Sequence, residues 1–461
     1  MTWPIFLHLR DNCIPFPKYK AAESVRPCAI SGKRKEGKSM GGKLRFVALF
    51  ALLSGYAFAG NSHPVADYTF ICNGKSQGTG PCPNGGSPDS LIQGSDGNFY
   101  GAAEASMEEN YGPEGGAVFS VTPSGTFTLL HTFAPGANQT YPKGNLPGLL
   151  TQGPDGKLYG ETRAGGVGSC TVYPGCGVLY RVNTDGSDFQ IIHNFCSQAN
   201  CADGWEGGAL VTGTDGNLYA TSYAGGTGPC SVYVYKGCGT IFRVTPSTGA
   251  YQVVFNFDFS TSGGSPSNLI LAPDGTFYGL AYGTPGELLF HFAPTTGALT
   301  TAVLTFPVFD GDLPSGPTSG LAFGPNGNLY GLYQIYAESG MGLFEVEPDG
   351  SNLQLFPLYT TLESGGEPDG LLLASDGNFW IAESNGSAGY GDIVSVSPTE
   401  GTLLRTLSPF FKGGPLGGLP VEIIQAKDGT FWGSTDFYGD APKGHFAQGT
   451  VFSLNAGLPP R

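Results

Sequence analysis

Seven times along this chain, Asp-Gly or Asn-Gly is followed by one further residue, then Phe or Leu, then Tyr or Trp. The phrase first reads Asp96-Gly97-Asn98-Phe99-Tyr100, and its closing aromatic returns at Tyr159, Tyr219, Tyr278, Tyr330, Trp380 and Trp432. The intervals are 59, 60, 59, 52, 50 and 52 residues. A repeat of that length is one supersecondary unit that cannot bury its apolar face alone, so neighbouring units must stack. Each unit holds four short apolar or alternating runs. In the third they are Ala209–Thr212, Leu218–Ser222, Thr240–Thr245 and Tyr251–Phe257. Asp215-Gly216, a pair that accepts the positive φ of a tight hairpin, separates the first two. Pro246-Ser247-Thr248-Gly249 separates the last two. Four hairpin-linked strands per unit describe a propeller blade. The expected fold is all-β, a seven-bladed β-propeller of four-stranded blades, with strands lettered A to D in chain order.

The seventh unit is one strand short. Its runs A to C lie at Val421–Gln425, Thr430–Thr435 and Thr450–Leu454, and the sequence stops at Arg461. A spare strand, Asp67-Tyr68-Thr69-Phe70-Ile71-Cys72, precedes the first unit and matches run D of the second, Ile191 to Cys196. The N-terminal strand is therefore expected to complete the last blade, closing the ring and covering its free edges. Gly101, Gly160, Gly279, Gly331 and Gly433 each follow an anchor aromatic, as crowding near the central channel would require.

Gly and Pro together make 110 of 461 residues, close to the level at which chains become disordered. The 40% hydrophobic and 12% aromatic content is nevertheless enough for a core, so the glycines belong to turns of a folded chain. Only 13% of residues are charged, which excludes a coiled coil, a helix bundle and a basic nucleic-acid binder.

Residues 40–59 read as a signal peptide: Met40, the basic Lys43 and Arg45, an apolar stretch from Phe46 to Tyr56, and the small-residue site Ala57-Phe58-Ala59. Residues 1–39 then form an over-long start or a basic leader, and 60–461 a single propeller domain. Residues 1–59 hold 10 of the 22 basic and 3 of the 37 acidic residues, leaving 12 basic and 34 acidic beyond them, a net −22. Such a surface repels phosphate backbones and anionic membranes. No Cys follows the cleavage site and no second long apolar run exists, so neither a lipid anchor nor membrane insertion of the mature chain is expected. The expected location is secreted, periplasmic or at a bacterial cell surface.

Asp155-Gly-Lys-Leu-Tyr-Gly-Glu-Thr162 with Gly165-Gly166, Gly239-Thr-Ile-Phe-Arg-Val-Thr-Pro246, and Leu130-His-Thr-Phe133 carry a family resemblance. Recurring in register over about residues 66–457, they resemble the repeat of the bacterial tandem-repeat GloVer family, the choice-of-anchor proteins. Units 4 to 6 lack the Gly-Gly pair and shorten the loop. The resemblance implies export; members are typically paired with varied C-terminal anchors, of which none follows the seventh unit. It implies no established activity.

Propeller topology puts the A–B and C–D turns on one face and the B–C and D–A loops on the other. Here the first face has only tight turns, and everything long rides on the second, where binding residues are expected. Eight cysteines follow the leader, and the repeat register pairs them locally. Cys170–Cys176 and Cys230–Cys238 occupy equivalent B–C loops; Cys72–Cys82 and Cys196–Cys201 occupy equivalent D–A loops. Export favours bridges over metal ligation. His131 and His193 share a position on outer strand D and read as structural, and His291 falls in run C of unit 4. Only His63 and His445 could approach the loop face. Asp185-Gly186-Ser187-Asp188 resembles a cation loop but recurs as the C–D turn Asp349-Gly350-Ser351-Asn352.

Three functions fit. The first is a binding or interaction module for a glycan or an extracellular protein, with Tyr111, Tyr173, Trp205, Tyr233, Tyr235, Tyr336 and Tyr390 on its loops. The second is a metal-assisted lactonase or streptogramin-lyase-like enzyme, because Asp376-Gly-Asn-Phe-Trp-Ile-Ala-Glu383 is similar to the repeat of that lyase family. Its general base would have to be His445. The third is a structural envelope protein without a small ligand. The candidate site is the channel mouth. Four residues beyond each anchor, strand B ends in Glu104, Arg163, Tyr223, Tyr282, Gln334, Ser384 and Asp436. A position that changes around a repeating ring can build an asymmetric pocket. Glu383 and Asp369 add acceptors. No cofactor is expected, although this acidic rim could take a divalent cation.

Overall fold

Strand Val65–Asn73 pairs antiparallel with Cys-free strand His445–Leu454, Val65 opposite Ser453 and Asn73 opposite His445. The N-terminal strand is thus strand D of the last blade, beyond strands A (Gly418–Gln425) and B (Phe431–Phe437). The computed structural model describes residues 65–461 apart from 74–81, 105–114, 137–139, 169, 171–174, 231–236, 284–285, 307–319, 336–339, 359–367, 385–389, 408–409, 411–413 and 444. The segments expected as leader and signal peptide lie outside the described residues. Seven antiparallel sheets follow the order A-B-C-D, and the A strands lie against those of neighbouring blades, around the axis. In the third blade strand A is split into Trp205–Gly207 and Val211–Thr212, and Glu206 within the first piece adopts a φ of 56°. Among the described residues no helix is long and apolar enough to cross a membrane.

The core is divided among the seams. Seven clusters of buried side chains each join two consecutive blades. The cluster that seals the ring sets Phe70, Trp432 and Val451 of the last blade against Leu91, Phe99 and Phe119 of the first.

The repeated phrase builds these seams. Successive strand residues face opposite sides of a sheet, so its Phe/Leu meets the preceding blade and its Tyr/Trp the following one. Phe99 stacks on Trp432 with ring centroids 3.8 Å apart, and Tyr219 meets Phe277 at 4.8 Å. Tyr330 meets Phe379 at 4.8 Å, and Trp380 meets Phe431 at 4.9 Å. A buried phenol needs a hydrogen-bond partner, and the turn residue four positions earlier supplies it. Tyr100, Tyr159 and Tyr219 donate to Asp96, Asp155 and Asp215 at 2.7–2.8 Å. In the fifth blade, Asn326 donates to the Tyr330 hydroxyl at 3.0 Å.

The glycines after the anchors are forced by something other than the central channel. Each lies opposite an aromatic residue of strand C: Gly101 and Phe119, Gly160 and Tyr180, Gly279 and Phe290, Gly331 and Phe344, Gly433 and Phe452. A Cβ there would overlap that ring. The sixth blade reverses the sizes, with Ile381 opposite Val394. In these five blades the crowding is therefore between the two middle strands of the blade, whereas the third fits Ala220 opposite Phe242.

Candidate functional site

Four disulfides shape the loop face: Cys72–Cys82, Cys170–Cys176, Cys196–Cys201 and Cys230–Cys238. They are the pairs that the repeat register selects. Bridges closing loops this short contribute about 2 kcal/mol each in the chain-entropy account, so they fix loops more than they hold the ring.

At the ends of the B strands, blades 1 and 2 meet through charge. Arg163 Nη1 lies 3.3 Å from Glu104 Oε1, and Glu104 is buried. Two acidic residues absent from the sequence reading join this group. Glu161, two residues beyond the anchor Tyr159, is buried at the seam with blade 3, and its Oε2 has no hydrogen-bond partner. Burial pushes its carboxyl well above the usual range, the Glu206 carboxylate adds to this, and Arg163 opposes it. Burial likewise raises Glu206, again opposed by Arg163. Room for the Glu161 side chain comes from Gly207, whose missing Cβ would fall on Oε2. Three carboxyl groups thus share one guanidinium. The sequence held a signal for this: Pro stands twelve residues before the anchor in units 1, 2, 4, 6 and 7, and Gly207 replaces it in the third.

Blades 3 and 4 continue the arc with Tyr223 and Tyr282, 41% and 46% exposed, whereas their anchors Tyr219 and Tyr278 are buried. Glu287 lies opposite Tyr282 in register, and burial raises its carboxyl to about 7. Gln334 sits on strand B of blade 5 opposite Met341; its side chain, like that of Asp369, lies outside the described residues. Asp436 joins blade 7 to blade 1 through its backbone carbonyl, which accepts from Ser87 Oγ at 3.4 Å. Glu383 belongs elsewhere: it is 1% exposed and lies opposite Asp392 within blade 6. Burial, and then the Asp392 carboxylate, push it up to about 8.

Of the loop aromatics, Tyr111, Tyr173, Tyr233, Tyr235 and Tyr336 lie outside the described residues. Trp205 is not displayed on the loop face: at 6% exposed, it fills the seam between blades 2 and 3. Tyr390 is half-buried beside Tyr438, 5.9 Å between ring centroids. On the outer wall His131 stacks on Phe189 at 3.7 Å, and His193 on Tyr251 at 3.8 Å. His193 Nε2 is also 3.0 Å from Asp203 Oδ2, which accepts from Ser197 Oγ at 2.7 Å. Burial raises the Asp203 carboxyl, but these two partners outweigh it and hold it down to about 2. Ser197 and His193 share one carboxylate oxygen, so neither is placed to activate the other. His291 stacks on Tyr278 at 4.6 Å, His445 is exposed, and His63 lies outside the described residues. Asp185 accepts from the Ser187 amide and hydroxyl, as a turn residue does.

The Gloeobacter/Verrucomicrobia repeat matches residues 87–342. No curated protein matches the chain. Among solved structures, a puromycin hydrolase is similar at 12% identity and a TM-score of 0.50, over 82% of this chain and 53% of that one. The extracellular domain assigned to a hybrid two component system of B. thetaiotaomicron is 14% identical with a TM-score of 0.48. This chain is covered over 86% and spans 44% of that one. A luciferin-regenerating enzyme is 11% identical with a TM-score of 0.38, over 86% of this chain and 97% of that one. Likeness at this level of identity concerns the fold alone.

Proposed function

This chain belongs to the Gloeobacter/Verrucomicrobia repeat family, and from the differences among its blades we propose that it is an extracytoplasmic binding module whose mouth on the long-loop face takes a glycan. One observation carries the reading. Four consecutive blades end strand B in Glu104, Arg163, Tyr223 and Tyr282, and the two tyrosines are exposed while the repeated aromatics of the same strands are buried. Exposed rings offer flat apolar faces for the C–H face of a sugar, and the ion pair beside them offers donors and acceptors for hydroxyl groups. The four disulfides suit an oxidising compartment.

Isothermal titration against a panel of neutral and acidic oligosaccharides tests it. Tyr223→Ala and Tyr282→Ala should each weaken the best glycan by about tenfold, the loss of one good aromatic contact. Affinity that survives both changes in a folded protein removes the mouth as the site. A protein ligand whose binding falls with the same two variants would keep the mouth and replace the glycan.

A further inference from the structure

In blades 2 and 3 the strand C residue opposite the anchor is an arginine: Arg181 faces Tyr159, and Arg243 faces Tyr219. A glutamine opposite on strand D holds each guanidinium. Gln190 Oε1 accepts from Arg181 Nη2 at 2.8 Å, and Gln252 Oε1 from Arg243 Nη2 at 2.6 Å. Arg181 also crosses the seam, where its Nη1 donates at 2.8 Å to the Pro246 carbonyl in the C–D turn of blade 3. Blade 6 does the same from strand D. Arg405 lies over the anchor ring of Trp380, and its Nη1 donates at 2.8 Å to the carbonyl of Ala456, the corresponding turn residue of blade 7.

Blade 4 has no arginine at this place. His291 stands opposite the anchor Tyr278, and Thr300 opposite His291. Neither side chain has the reach of an arginine, and a cavity of about 440 Å³ lies here between blades 4 and 5. Tyr278, His291 and Thr300 line it from one side, Pro348 and Asp349 from the other. Pro348 is the turn residue that corresponds to Pro246, the acceptor for Arg181. Beside it Asp349 supplies a carboxylate where blade 3 has Ser247 and blade 7 has Gly457. The stacked rings of Tyr278 and His291 give the cavity an aromatic wall, a surface on which a guanidinium stacks. We propose that this cavity binds a guanidinium group brought by a ligand, in the place that Arg181 and Arg405 fill in their own seams. The planar fork of five N–H donors finds a carboxylate, a backbone carbonyl and a hydroxyl as acceptors. The site lies on the turn face, away from the mouth, and does not rest on the glycan reading.

Calorimetric titration with butylguanidine, with the capped peptide acetyl-Gly-Arg-Gly-amide and with butylamine tests it. At least one of the two guanidinium ligands should bind, one per chain, and butylamine at least about tenfold more weakly, since an ammonium lacks the fork. Tighter binding of butylguanidine assigns a free small molecule, tighter binding of the peptide an arginine side chain of a partner, and either supports the site. Asp349→Asn keeps an acceptor for the Ser351 amide and loses the charge, so affinity should fall about tenfold. Asp185→Asn, at the same turn position of blade 2, should leave it unchanged. His291→Arg with Thr300→Gln rebuilds the Arg181–Gln190 pair inside the cavity and should abolish binding. Three results would overturn the proposal: no wild-type binding at millimolar ligand, butylamine bound as tightly as butylguanidine, or binding that survives the double variant. Should the double variant fail to fold, Asp349→Asn decides, a loss of affinity in support and unchanged affinity against.

Discussion

The ring of Tyr68 lies flat on that of Phe127, centroids 3.8 Å apart and planes 10° from parallel. Tyr68 belongs to the N-terminal strand of the last blade and Phe127 to the outer strand of the first. Seams between the next blades carry the same clamp, His131 on Phe189 and His193 on Tyr251. The borrowed strand therefore does more than cover an edge, because it brings the side chain that ties the last blade to the first. Asn84 holds its hydroxyl with a hydrogen bond of 2.6 Å.

Tyr68→Ala should cost about 2 kcal/mol, from lost burial and the lost ring pair. Chemical denaturation measures it. Deleting 65–73 should cost more and bring on association of the uncovered edge, seen by analytical ultracentrifugation. A deletion variant that melts with the full chain and stays monomeric would contradict the seam account.

The strand B glycines and strand C rings should behave as pairs. Gly279→Ile alone forces overlap with Phe290 and should cost about 3 kcal/mol. Adding Phe290→Val recreates the Ile381–Val394 arrangement and should return at least about 1 kcal/mol as coupling in a double-mutant cycle. Additive costs would mean that the ring does not occupy the space of the glycine.

The turn aspartates should matter through the phenol they hold. Asp215→Ala removes the acceptor of Tyr219 and the turn contact to the Asn217 amide, and should cost about 1–3 kcal/mol. Asp215→Asn should cost less, since Asn326 holds Tyr330 in the fifth blade. Urea midpoints of the two variants give the comparison.

Glu383 and Glu287 give stability a pH dependence of definite sign. Burial raises their carboxyls to about 8 and about 7 from the ordinary 4.5, so in metal-free buffer the folded chain keeps protons that the unfolded chain releases. Their contribution is complete below pH about 4.5 and is lost as pH rises through about 7 and 8. Glu383→Gln should flatten this fall and leave the variant the more stable chain at the alkaline end. Denaturation midpoints across the range, in chelator, check it.

The repeat made the blade number, the closing strand and the cysteine pairs legible, because each depends on position within a unit. Strand boundaries were less legible. Strand A of the last blade begins at Gly418 rather than Val421, since Leu419 turns to a φ of 57° and the ladder resumes past a bulge. Glu161 escaped notice because its partner is not the next turn but a missing side chain at Gly207, on another blade. Asp392 could not be joined to Glu383 from sequence, since the connection between strands B and C differs in length from unit to unit.

Because the closing strand precedes its partner by nearly the whole length of the ring, biosynthesis imposes a wait. Val65–Asn73 leaves the ribosome some 370 residues before His445–Leu454 exists to receive it. Throughout that interval an apolar strand with a bare edge is at large, a hazard for aggregation. Cys72 need not wait, since Cys82 follows within ten residues. That bridge can form early and tether the strand to its own loop, so the nascent chain carries its final piece folded back until the last blade arrives.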